Sequence, residues 1–243
     1  MTNPPFAMIL GDTHGSVYYT VQSIQEAHSR GVTRIIQLGD WGYLWPDTNL
    51  DDPTEAINVV SRWLLEHNVT MFFIRGNHDW KEGIEANEVR LAQMGFCYLD
   101  DARQYLGFEV PTYCYGGAVS IDRKYRKEGV DYFKDEMPTP HYDDRWDEGW
   151  GGIMFAHDSV INPPGFEKPH PLMLENPDTI TDSATSRDRV GQACIEARVS
   201  TLFHGHYHTS QNYQINNLKV YALNAAGNVG DSLYLDINGE VTV

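Results

Sequence analysis

Phe6-Ala7-Met8-Ile9-Leu10-Gly11-Asp12-Thr13-His14-Gly15 is an apolar run that stops abruptly in a polar loop. A short apolar run bounded by turn residues reads as a buried strand, and the glycines flanking Asp12 and His14 mark a tight turn. Behind it, Ser16 to Arg30 carries Val17, Val21 and Ile24 at helical spacing and stops at Gly31. Arg34 to Leu38 is the next strand and ends in Gly39-Asp40. Thr54 then reads as the N-cap of a helix through His67, with Ile57, Val60, Leu64 and Leu65 as its apolar stripe. Thr70 to Ile74 is a third strand, ending in Gly76-Asn77-His78-Asp79; a helix from Glu82 to Met94 and a strand from Phe96 to Leu99 follow. Strand and helix alternating in this way predict a parallel sheet. Such a sheet gathers the loops that follow its strands along one edge. Three polar loops, far apart in sequence, therefore converge.

From about Asp100 the pattern changes to short strands and long loops. Gly152 to Ala156 is apolar and ends at His157. A helix from Ser186 to Arg198 leads into a strand, Thr201 to Phe203, and then Gly205-His206-Tyr207-His208. Gln211 to Ile215, Lys219 to Ala222 and Ser232 to Ile237 read as a closing antiparallel meander. Ser120 to Gly151 and Ser159 to Asp182 read as loops and hold seven of the twelve prolines. Loops of this length inside a compact domain are usually functional or mobile. No repeat or domain boundary interrupts the chain, so residues 1–243 are read as one domain.

Composition narrows the classes of partner. Acidic residues outnumber basic ones 34 to 18, a formal net charge of −16, and there is no basic run. A protein that grips extended DNA or RNA needs a basic stripe to neutralise phosphates. No segment has the length and apolarity of a membrane span, and the first residues lack a secretory pattern. Cys97, Cys114 and Cys194 are scattered and odd in number, which favours a reducing compartment, the cytoplasm, with buried structural thiols.

The polar motifs carry carboxylates, imidazoles and one amide. Asp12 and His14 are two apart, so both can face one ion. Asp40 has two oxygens and can bridge two cations about 3.5–4 Å apart. Asn77 offers a neutral carbonyl oxygen, while its neighbour His78 is left free to act as an acid with Asp79 to hold its ring. His157 ends an apolar strand, and His206 and His208 form a second pair two apart. Taken singly, each of these is as well read as a polar turn or a satisfied structural residue. His28, His67, His141, His170 and His204 are given structural roles, the first two near helix C-termini.

The ordered set of Asp-x-His, Gly-Asp, Gly-Asn-His-Asp, His and Gly-His-x-His resembles the calcineurin-like metallophosphoesterase superfamily, from Gly11 to His208. Gly11 to Gly15, Ser120 to Arg123 and Gly205 to His208 look most like its small bacteriophage members. The resemblance implies an α/β fold of two mixed β-sheets packed as a sandwich flanked by helices, four layers in all. It implies two divalent metal ions, one held by Asp12, His14, Asp40 and His208, the other by Asp40, Asn77, His157 and His206. Oxygen and nitrogen ligands without thiolate admit Mn, Fe, Zn, Co or Ni, with manganese placed first. The implied reaction is hydrolysis of a phosphate ester by hydroxide generated between the ions, with His78 as the acid. Protein phosphatases of the superfamily follow the second motif with an arginine that grips phosphate; this chain reads Gly39-Asp40-Trp41-Gly42. That gap favours small phosphodiesters, cyclic nucleotides among them, over phosphoproteins. A phosphomonoesterase and a non-catalytic scaffold on the same fold are the alternatives. Arg123 and Arg126 are the candidates for phosphate contact, and Trp41 and Trp45 either stack on a flat group of the substrate or pack the core.

Overall fold

The computed structural model describes residues 4–99, 101–140 and 151–242. The first half builds β1 (Ala7–Leu10), α1 (Val17–Ser29), β2 (Arg34–Gln37), α2 (Ala56–His67), β3 (Thr70–Phe73), α3 (Lys81–Ala86), α4 (Glu88–Gln93) and β4 (Phe96–Tyr98). The second half adds β5 (Ala102–Gln104), β6 (Thr112–Tyr115), a 3-10 turn (Arg123–Tyr125), β7 (Ile153–Ala156), α5 (Pro171–Glu175) and α6 (Asp178–Glu196). It closes with β8 (Thr201–His204), β9 (Gln211–Ile215), β10 (Leu218–Ala222), β11 (Ser232–Leu235) and β12 (Val241–Thr242).

These strands form two six-stranded sheets, ordered β12-β11-β1-β2-β3-β4 and β5-β6-β7-β8-β10-β9. β1 to β4 are parallel, as are β6, β7, β8 and β10; antiparallel strands sit at the edges. Alternation along each strand sends its side chains to opposite faces, and both faces are covered. Ala7, Ile9, Ile36 and Ile74 from the first sheet meet Cys114, Phe155 and Phe203 from the second, between the sheets. Met8, Leu10, Ile35 and Phe73 pack instead on Ile24, Ile57, Val60 and Leu64 of α1 and α2. On the far side Tyr113, Met154 and Leu202 pack on Val190, Ala193 and Cys194 of α6. The result is four layers, helix, sheet, sheet, helix. Each large apolar side chain so enclosed contributes about 1.5–3 kcal/mol by leaving water.

Local chemistry shifts several element boundaries from the sequence expectation. Thr54 is not the cap of α2: Glu55 takes that position, and Thr54 donates to Asp52 in the preceding turn. The helix expected from Glu82 to Met94 breaks at Asn87, whose amide side chain donates to the Gly83 carbonyl. A short polar side chain that bonds nearby backbone competes with the helical pattern in this way. α6 begins at Asp178, eight residues before the expected Ser186. Its early buried face is Thr179, Ser183 and Ser186, a polar stripe that apolar periodicity does not register. β6 is a strand beyond the sequence expectation; it lies inside the second sheet with all four residues buried. The closing meander is also corrected: β9 and β10 pair in the second sheet, whereas β11 crosses to lie antiparallel to β1 in the first.

Candidate metal centre

The seven residues expected to hold metal all follow parallel strands. Asp12 and His14 come after β1, Asp40 after β2, Asn77 after β3, His157 after β7, and His206 and His208 after β8. Carboxyl ends of strands from both sheets therefore meet at one edge of the sandwich. Four of the seven have a left-handed backbone, with φ of 46° at His14, 51° at Asp40, 67° at His206 and 48° at His208. This region is unfavourable for residues with a Cβ and is kept only where the surroundings over-determine it. The surroundings do so here. Gln37, fully buried at the end of β2, donates to the carbonyls of Gly11 (3.1 Å) and Gly39 (2.5 Å) and accepts from Gly39 N–H (3.1 Å), joining two loops. The His14 amide donates to the Asp40 carbonyl at 2.8 Å.

Glycines bring the carboxylates close to backbone. A Cβ on Gly205 would lie 2.0 Å from Asp12 Oδ1, and one on Gly76 would lie 2.1 Å from Asp40 Oδ1. The freed space is used by backbone donors: His206 N–H reaches both oxygens of Asp12, and His78 N–H reaches Asp40 Oδ1 at 2.9 Å.

The first cluster is compact. One ligand atom each from Asp12, His14, Asp40 and His208 lies within 4.8 Å of the others. His14 Nε2 and His208 Nε2 are 3.0 Å apart, and His208 Nε2 is 3.1 Å from Asp12 Oδ2. Around the other oxygen of Asp40 lies a second set. His157 Nε2 is 3.5 Å from Asp40 Oδ1 and 2.9 Å from Asn77 Oδ1, and the His206 ring centroid is 5.1 Å from that of His157. His157 Nδ1 donates to the Leu38 carbonyl at 2.7 Å, which turns Nε2 toward Asn77 Oδ1 and Asp40 Oδ1. Asn77 Nδ2 donates to Ser120 Oγ at 2.9 Å and so aims its oxygen at His157.

Charge in this region is unbalanced. Asp12 and Asp40 are buried, and among the described residues neither has a lysine or arginine within ion-pair distance. Burial pushes the Asp40 carboxyl up, but His157, His78 and His14 together draw it well below the usual carboxylate range. Burial lowers the His206 imidazole well below its ordinary value, and His157 adds to that. His157 itself is raised: burial lowers it, but Asp40 and Asp12 more than compensate. Two buried carboxylates, converging imidazoles and a carbonyl oxygen, with no thiolate, fit divalent transition metals.

His78 stands beside this set, with Nε2 3.9 Å from Asp40 Oδ2. Burial lowers its imidazole despite Asp40, and Arg126 lowers it further. Asp79 does not hold the ring. Its oxygens accept from the backbone amides of Trp41 (3.1 Å), Gly42 (2.9 Å) and Gly76 (2.7 Å), while His78 Nδ1 has no hydrogen-bond partner among the described residues. Asp79 therefore ties the loops after β2 and β3 together. The two arginines also separate. Arg126 is forked onto Asp122 at 2.8 Å, its Nη2 lies 3.5 Å from His78 Nε2, and it lines the cavity over the site. Arg123 is spent on Asp182 (2.6 Å) and Glu136 (4.0 Å), where it holds the 3-10 turn to α6. Trp41 is fully buried and stacks on Phe73 with centroids 4.3 Å apart, whereas Trp45 lines the cavity.

Of the remaining histidines, His204 is buried between the Gly205 carbonyl and the Tyr213 hydroxyl, and His28 and His67 meet each other at the ends of α1 and α2. His170 caps α5, and His141 lies outside the described residues. Ser120, in a segment that the resemblance marks, and Asp158, next to His157, brace the site in ways their motifs do not specify. Gln37 and Arg187 brace or line it, and the sequence motifs do not single them out. Gln37 leaves one trace, a polar residue at the end of an apolar strand.

A four-layer α/β sandwich with an Asp and His cluster at the carboxyl edge of two sheets defines a metallophosphoesterase. The sequence pattern of calcineurin-like phosphoesterases matches residues 7–210. The chain belongs to that family, and is a metal-dependent phosphoesterase by class. No curated relative matches the sequence. Among solved structures, the protein TT1561 of Thermus thermophilus is similar at 9% identity and a TM-score of 0.56, over 99% of this chain and 98% of that one. Phosphopantetheinyl hydrolase from Mycobacterium tuberculosis is similar at 11% identity and a TM-score of 0.55, over 97% of each chain. Identities this low speak for the fold alone. Among the described residues no helix is long and apolar enough to cross a membrane.

Proposed function

We propose that the chain hydrolyses small phosphodiesters with two divalent metals, manganese first among them. One metal would be held by Asp12, His14, Asp40 and His208, the other by Asp40, Asn77, His157 and His206. The observation that carries this reading is the placement of Asp40. Its Oδ2 faces His14 at 3.9 Å while its Oδ1 faces His157 at 3.5 Å, the disposition of a carboxylate that serves two centres. Two bound divalent ions supply Lewis acidity to the phosphoryl oxygens and to a water nucleophile.

The chain's own residues do the rest. Asn77 and the histidines fix the ligand geometry through Ser120 and the Leu38 carbonyl. His78 Nε2, on the open side of Asp40, delivers a proton to the departing ester oxygen. Arg126 contributes a donor beside His78 for charge that develops there. Its guanidinium is already paired with Asp122, so little net positive charge is offered to phosphate beyond the metals. A monoester carries nearly two negative charges near neutral pH, a diester one, and the site favours the diester. The net charge of −16 opposes extended nucleic acid as a partner. The three free cysteines support a reducing compartment, the cytoplasm.

The test is elemental analysis of the purified protein, followed by turnover of bis(p-nitrophenyl) phosphate and p-nitrophenyl phosphate with added Mn. Two metals per chain and faster diester turnover are expected. Fewer than one metal, or no turnover of either ester, would refute the reading.

A further inference from the structure

A cavity of about 900 Å³ opens over the metal ligands, at the upper end for sites that hold small organic ligands. A phosphoryl group fills little of it. Much of its lining comes from two segments of the second half, residues 120–126 and 162–187, and these are tied together. Arg123 pairs with Asp182, Lys124 lies 3.8 Å from Glu175, and the Tyr125 hydroxyl bonds Glu175. Met173 of α5 and Ile180 of α6 line the cavity, as do Phe166 and Tyr207.

Phe166 is exposed, yet its position is built. Pro163-Pro164-Gly165-Phe166 carries the signature of a type II turn: the Phe166 amide donates to the Pro163 carbonyl at 2.9 Å, proline stands second and Gly165 has φ of +92° in third place. Gln211 Nε2 donates to the Pro164 carbonyl at 3.0 Å and fastens the turn to β9. The Phe166 ring meets the Tyr207 ring edge to face at 5.4 Å. Tyr207 in turn sits between the ligands His206 and His208, with its ring 5.1 Å from that of His206. Its hydroxyl accepts from Arg187 Nη1 at 3.3 Å and lies beside buried Asp158, which Ser186 also holds at 2.5 Å. An aromatic corner is thus anchored directly against one metal-ligand pair, and His78 and Arg126, 3.5 Å apart, line the same cavity.

We infer that Phe166 and Tyr207 form the subsite for the retained substituent of the diester, and that this substituent is a flat apolar group such as an aryl ring or nucleobase. The inference rests on the phosphodiesterase reading above. It divides the cavity by role. His78 and Arg126 attend the leaving oxygen, and the Phe166–Tyr207 corner attends the part that stays on phosphorus. Stacking on an aromatic side chain supplies the recognition and is tolerant of the ring's identity.

The test compares two substrates with one leaving group, bis(p-nitrophenyl) phosphate and methyl p-nitrophenyl phosphate. Their ratio of kcat/KM isolates the retained group. In Phe166→Ala this aryl-to-methyl ratio should fall about tenfold through KM, and Phe166→Tyr should restore it. Calorimetry should show the same loss of preference for phenylphosphonate over methylphosphonate. Turnover of both diesters with a ratio that Phe166→Ala leaves unchanged would overturn the inference alone. No turnover of either by the Mn-loaded wild type would overturn the phosphodiesterase reading, and the inference with it.

Discussion

The His206 amide donates to both carboxylate oxygens of Asp12, at 3.0 and 3.2 Å. That contact joins the loop after β1 in the first sheet to the loop after β8 in the second. It exists because Gly205 has no Cβ, which would lie 2.0 Å from Asp12 Oδ1. Gly205→Ala should therefore leave a folded protein whose Asp12 is displaced. Bound metal measured by elemental analysis should drop by about half or more, with turnover down about tenfold or more, while circular dichroism stays close to wild type. Full metal content in this variant would show that Asp12 holds no metal in the arrangement described.

Asp40 is the one carboxylate among the described residues that faces both histidine sets. Asp40→Asn keeps the shape but removes the charge and one strong metal-binding oxygen. Loss of metal from both positions is expected, with hydrolysis reduced by about a thousandfold or more. Two metals per chain in the purified variant would refute the shared role.

His78 approaches Asp40 at 3.9 Å but lies outside the compact ligand cluster. His78→Gln should keep its metals and lose about a hundredfold to ten-thousandfold in turnover, the range for a missing general acid. The loss should be steepest for esters with poorly stabilised leaving groups, which need the proton most. An equal loss across leaving groups would place His78 in binding instead of proton transfer.

Much of this site is legible in the chain because its chemistry is local. Asp12, His14, Asp40, Asn77, His206 and His208 each stand beside glycine or within a short polar turn after an apolar run, and that pattern survives without coordinates. What is not legible depends on contacts between distant segments. Adjacency alone puts Asp79 on His78, whereas its oxygens are claimed by Trp41, Gly42 and Gly76. The Asp158–Ser186 bond and the Arg187–Tyr207 bond join loops to a helix whose first turns bury hydroxyls. Apolar periodicity is blind to such a face. β6 escapes notice for a similar reason, its Thr-Tyr-Cys-Tyr reading as amphipathic although both faces are covered.

Glu136 gives a prediction that is read in stability instead of turnover. Its side chain is buried at 2% exposure, and burial pushes its carboxyl up from 4.5 to about 7, with Ser120 and Arg123 offsetting part of the effect. The folded chain therefore holds this proton more tightly than the unfolded chain. Stability from this group is fully present below pH 4.5 and is lost as pH rises through about 7. The shift is equivalent to about 3 kcal/mol. Glutamine is neutral throughout, so Glu136→Gln should remove this dependence. In urea unfolding, the variant's advantage over wild type should grow by about 2–3 kcal/mol between about pH 5 and pH 8. Parallel stability curves for the two proteins across that range would show that Glu136 is ionised in the folded state, with Arg123 at 4.0 Å sufficient to hold its charge.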